Sequence, residues 1–154
     1  MNIRNALIPK LLLGTFILLG CENHDLEENF FKQPLANRVE RLRGYPLAEQ
    51  YRIFRYGNDK KEPPFMDLAE PIAERGAAAV PFLVDQLNSE SQDIAVRDIL
   101  LVFETMATTK SYDVKSDAAL MGTFSSKVST MKDQGWKDTC LKMLKRIRNT
   151  GQES

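Results

Sequence analysis

The 154-residue chain has little of what most catalytic and metal chemistry needs. It holds one histidine, His24, and two cysteines, Cys21 and Cys140. One histidine excludes His-rich metal centres, and with no ligand cluster around it His24 reads as a solvated side chain. It stands ahead of the helical region, so no Ser-His-Asp or Cys-His arrangement is available on the folded domain. The eight glycines form neither GxGxxG nor a phosphate loop. No cofactor or metal is implied. Net charge is also missing: 21 bases meet 21 acids, which removes the broad electrostatic case for nucleic acid. No useful stretch alternates apolar and polar residues with period two, so no sheet is predicted.

What is present fits one soluble domain. The apolar share of 43% and charged share of 27% argue against wholesale disorder and against a polytopic membrane protein.

Residues 1–20 read MNIRNALIPKLLLGTFILLG, with Arg4 and Lys10 as their only charges. The apolar run from Leu11 to Leu19 is shorter than the roughly 20 residues a spanning helix needs. A positive start followed by a short apolar run is a secretory signal. It ends Leu18-Leu19-Gly20-Cys21. These four residues resemble the lipobox of bacterial lipoproteins. The resemblance implies cleavage between Gly20 and Cys21, acylation of Cys21, and export with anchoring to a bacterial membrane. Two or more acyl chains anchor stably where one does not. Glu22 at the second mature position, in place of the Asp of inner-membrane lipoproteins, favours the outer membrane facing the periplasm. Cleavage would remove Arg4 and Lys10 and turn the neutral balance to −2.

Residues 21–33 then read as the lipidated cysteine and an acidic tether, since ENHDLEEN (22–29) holds four acids and no base. Asp25-x-x-Glu28 has capping-box spacing, which allows a short helix over 26–32 instead. From Pro34 to about residue 150 the spacing predicts helices throughout, and 151–154 a disordered tail. Leu35, Val39 and Leu42 share one face of a first helix ending at Gly44. Leu47, Tyr51 and Phe54 share the next, stopped by Gly57-Asn58-Asp59. A third spans 65–75, with Pro71 predicting a kink or an altered start, and ends at Gly76. A fourth covers 78–87, with Pro81 near its start. Ser89-x-x-Gln92 has the spacing to open a fifth, which carries the apolar run ILLVF (99–103) of a central helix. Residues 108–115 read as a loop. Ser116 or Asp117 caps a sixth helix bearing Leu120, Phe124, Val128 and Met131. The last starts near Trp136 and presents Cys140, Leu141, Met143, Leu144 and Ile147.

The fold class is therefore all-α. Residues 65–107 contain GAAAVPFLVDQL (76–87) followed by DIAVRDILLVF (93–103), which resembles a HEAT-type hairpin. The resemblance implies that Asp93 and Arg97 tie the turn to a helix. The predicted architecture is a short HEAT-like stack of helical hairpins or an irregular bundle that contains one such hairpin.

Candidate chemistry is sparse. Cys140 sits on an apolar helix face and reads as core filler. Glu70 and Glu74 stand four apart, but with no cleft signal they read as a solvated helix face. Two surfaces are candidates for binding. Arg52, Arg55 and Tyr56 lie away from the core-facing residues of their helix, and Arg and Tyr are enriched at interfaces. The segment 127–148 carries seven bases and two acids. Its Trp136, Lys137, Lys142, Lys145 and Arg146 suit contact with an anionic membrane surface, although cations also suit the C-terminus of an ordinary packing helix. The function expected is a non-enzymatic, lipid-anchored interaction module, held in the membrane through acylated Cys21 and bound to an envelope protein. The alternative is an immunity-type or protective lipoprotein that neutralises a toxin.

Overall fold

The computed structural model describes residues 25–151. The signal segment, Cys21, His24 and residues 152–154 lie outside them. Among the described residues the chain is all-helical and has no strand.

Helix α1 (Asp25–Lys32) opens on acids at its first turn and ends on Lys32, which complements the helix dipole at both ends. It is not tether. Phe30 is fully buried, and α1 packs on α3 (Leu47–Lys60). The stretch is polar in composition, but its few apolar residues fall where one helical face can use them: Leu26 and Phe31 also lie against the core. Helix α2 (Arg38–Arg43) begins later than Pro34 because Asn37 takes a left-handed conformation, φ 60°. Leu35 is thus left outside the helix and is exposed rather than core. Arg41 bridges α1 and α2. Its guanidinium donates to the Pro34 carbonyl at 3.1 Å and lies 4.5 Å above the Phe30 ring.

Helix α3 runs through Gly57-Asn58-Asp59 instead of stopping there. Gly57 serves as a point of close approach. A Cβ there would lie 2.7 Å from the end of the Phe31 ring and 3.4 Å from Phe65, so glycine makes room for neighbouring elements rather than ending the helix. The third predicted helix is divided: a 3₁₀ turn at Met66–Leu68 leads into α4 (Ala69–Ala73). Pro71 produces the altered start, because in the first turn of α4 its missing N–H has no helical partner to lose. A second 3₁₀ turn, Gly76–Ala79, leads into α5 (Val80–Ser89).

Helix α6 (Asp93–Thr109) is the hub. It packs against α3, α4 and α5, and against α7 (Ala118–Ser129) and α8 (Gln134–Asn149). Its contacts with α8 and α4 are more extensive than those with α5, its partner in the predicted hairpin. Ile99, Leu100, Val102, Phe103 and Met106 are all fully buried. The Phe103 ring meets Phe124 of α7 edge-on at 5.0 Å, an aromatic geometry that adds to simple burial. The predicted Ser89–Gln92 cap does not form, since Ser89 ends α5. Glu90 satisfies the turn instead, accepting from the Ser91 and Gln92 N–H groups at 2.7 and 2.8 Å. The loop expected from residue 108 is shorter, because α6 continues to Thr109 and 114–116 form a 3₁₀ turn. Of the two predicted caps for α7 it is Asp117 that acts, accepting from Leu120 N–H at 3.0 Å. Helix α8 starts two residues before Trp136, capped by Asp133, which accepts from the Trp136 N–H at 2.9 Å.

Candidate interaction surfaces

The first predicted surface turns largely inward. Arg55 pairs with the fully buried Asp98 of α6. The other Asp98 oxygen accepts from Asn58 Nδ2 at 3.2 Å and lies 3.0 Å from the Arg97 guanidinium. Burial pushes the Asp98 carboxyl up to about 6, opposed by Arg97 and Arg55, which favour its ionised form. Arg52 reaches the buried Glu27 of α1 at 2.8 Å. Tyr56 stacks on Phe31 with centroids 5.8 Å apart, and Lys61 caps both rings at 5.2 and 5.5 Å. These three residues therefore tie α3 to α1 and α6. The Arg52 side chain remains half-exposed.

Arg97 belongs to the same node. It is buried, and its guanidinium covers the Trp136 ring at 4.7 Å. Its partner is Asp98, and Asp93 has another role. The Asp93 carboxylate accepts from the Lys132 and Asp133 N–H groups at 2.8 and 2.7 Å. Thus Asp93 fastens the α7–α8 turn to the start of α6, in place of the local tie to Arg97 that the HEAT resemblance implied.

Sequence reasoning missed Asp98, Asn58 and Glu27 as partners. A signal for Asp98 was present. Arg97-Asp98 is a charge pair set inside an apolar run, DIAVRDILLVF, and charges in such a run must be paired to be buried.

The basic C-terminal segment is divided by its neighbours. The Trp136 ring is partly covered, Lys137 donates to the Ser129 carbonyl at 3.0 Å, and Arg146 is paired with Glu104 of α6. Lys142, Lys145 and Arg148 are exposed. Helix α8 turns Cys140, Met143, Leu144 and Ile147 into the core, so its apolar face is already occupied. Leu141 stands outside that face, 49% exposed. Beside it a shallow groove of about 240 Å³ runs between α7 and α8.

The other candidates have defined places. Cys140 is fully buried, and burial pushes its thiol up to about 12, the setting of an unreactive core cysteine. Glu70 and Glu74 are both bound by Arg43, which holds Glu74 in a two-pronged pair at 2.8 and 2.6 Å and Glu70 at 3.0 Å. The bond from Arg43 holds the Glu74 carboxyl below its ordinary range. Among the described residues no group of three or more His, Cys, Asp or Glu side chains is placed to hold a metal ion, and no helix is long and apolar enough to cross a membrane. Comparison with family models, curated proteins and solved structures gave no match.

Proposed function

We propose that this chain is an exported, lipid-anchored helical module that binds a protein partner at the bacterial envelope and does no catalysis itself. The observation that carries the reading is the Leu18-Leu19-Gly20-Cys21 sequence standing just ahead of a packed domain. Helix α1 starts at Asp25. Four residue steps separate it from Cys21, a reach of at most ~14 Å at ~3.6 Å per extended residue. An acylated Cys21 would thus hold the domain close against its membrane, outer and periplasm-facing by the Glu22 argument, and not on a long spacer.

The domain also suits binding. It closes its own core around α6 and leaves a grooved, basic face on α7 and α8. Labelling with radioactive palmitate and membrane fractionation test the anchor. The wild type should be labelled and sediment with membranes, and Cys21→Ser should lose both properties. A Ser variant that is still labelled would overturn the anchor. Failure of site-specific photocrosslinkers on α7 and α8 to capture any protein in intact cells would overturn the partner-binding role.

A further inference from the structure

The groove between α7 and α8 is built from unlike parts. Val128 of α7 and Leu144 of α8 form its floor and are almost fully buried. Leu141 stands at its edge, half in solvent. Lys137 and Arg148 border it on α8, and Lys137 reaches across to the Ser129 carbonyl of α7. No acid lines it.

The surrounding charge is mainly positive. Helix α7 contains no acid at all. Within α8 the one acid is Asp138, which accepts from Gln134 Nε2 at 2.7 Å. Lys142 and Lys145 flank Leu141 on the outer face and are exposed. Apolar floor, projecting leucine and cationic rim select a ligand with the complementary pattern.

We propose that this groove docks an acidic peptide segment of the partner protein, with an apolar side chain seated against Leu141, Leu144 and Val128 and carboxylates facing Lys137, Lys145 and Arg148. It rests on the partner-binding reading above and names the partner's chemistry. Amphipathic segments are recognised in this way, with apolar anchors in a groove and charges at its rim. A membrane surface fits less well. A membrane-surface helix inserts an apolar face, and the apolar face of α8 is spent on the core. Helix α1, which follows Cys21 in sequence, packs on α3, and none of its residues lines the groove.

The test uses the full chain in a non-ionic detergent and a fluorescent synthetic peptide rich in Glu with leucines along one helical face. Two controls replace its leucines by Ser or its Glu by Lys. The peptide should bind, each control should bind at least about tenfold more weakly, and Leu141→Glu and Arg148→Glu should each cost about tenfold. Both substituted positions are exposed, so thermal unfolding should not move. Added salt should weaken binding. No binding, or equal binding of all three peptides, overturns the proposal. So does adsorption to phosphatidylcholine vesicles that rises when phosphatidylglycerol is added and falls in the two variants, which would assign the face to lipid. Should photocrosslinking in cells capture a protein while both groove variants leave capture unchanged, the module reading stands and the groove proposal falls.

Discussion

Arg55 on α3 is ion-paired with Asp98 on α6, and the carboxylate it holds has no exposure to solvent. Asn58 and Arg97 approach the same carboxylate, and through Arg97 the node reaches the Trp136 ring of α8. One buried acid thus connects three helices. Charges enclosed in this way are expensive to desolvate, and removing one partner leaves the others uncompensated. Asp98→Ala would strand Arg97 and Arg55 and should destabilise the domain by about 3–5 kcal/mol, read from urea unfolding.

The same carboxyl gives a pH dependence whose sign can be worked out. Burial raises it from 3.8 to about 6. The native state therefore binds this proton more tightly than the unfolded chain does. For this group, stability is fullest below about pH 4 and is lost as pH rises through about 6, by up to about 3 kcal/mol at 1.36 kcal/mol per pH unit. Asp117 and Glu74, both lowered by hydrogen bonds, act in the opposite sense and lose stability as pH falls through their folded values. Between pH 4 and 7 the wild type should lose unfolding free energy relative to Asp98→Asn, which cannot titrate. Parallel pH profiles for the two proteins would refute the assignment.

Two glycines should respond to alanine in opposite directions. Gly76 has φ 55°, and a Cβ on it would lie 2.6 Å from the Ser111 carbonyl oxygen. A backbone atom cannot swing away, so Gly76→Ala should cost about 1–3 kcal/mol. Gly122 lies within α7 with nothing within 4 Å of the added methyl. There alanine should stabilise by up to about 1 kcal/mol, because glycine is the poorer helix former. Thermal melts of the two variants suffice, and equal shifts would show that position 76 accepts a Cβ without strain.

The helices were legible in the sequence because apolar spacing records which face each one buries. The all-α class, the Asp117 cap and the central position of ILLVF follow from that local pattern. Helix ends were less legible. Gly57 looks like a stop, but its role depends on Phe31, which is distant in sequence. Ser89 and Gln92 have cap spacing, but Glu90 takes the turn's N–H groups. The candidate surface was legible as residues and not as geometry. Arg52, Arg55 and Tyr56 lie off the Leu47-Tyr51-Phe54 stripe of α3 by spacing, yet Glu27, Asp98 and Phe31, which engage them, come from other helices. Such pairings are set by tertiary packing, which spacing along one helix does not encode.

Helix α1 should behave as part of the domain. Phe30 is fully buried and meets the Phe31 and Tyr45 rings edge-on at 5.2 and 5.9 Å. Phe30→Ala would open a cavity beneath Arg41 and should cost about 3–5 kcal/mol. Limited proteolysis gives an independent check. A packed helix resists cleavage until it opens, so residues 25–32 should be protected in the wild type and become cleavable in the variant. Ready cleavage within α1 of the wild type would return this stretch to the role of a tether.

Cysteine titration separates the packing of Cys140 from the fate of Cys21. The Cys140 thiol is enclosed and its ionisation pushed up to about 12, so its reactive thiolate is scarce at neutral pH and sheltered from reagents. Disulfide reagents should therefore leave Cys140 untouched in the native protein and modify it fully in denaturant. If Cys21 carries a thioether-linked lipid, its sulfur cannot react in either state, and membrane-extracted protein should release a single titratable thiol on unfolding. The Cys21→Ser protein should give the same titre, because only Cys140 remains. Two thiols from the wild type would show an unmodified Cys21 and overturn the lipid anchor. Rapid modification of the native Cys21→Ser protein would show instead that the α6–α8 core opens readily around Cys140.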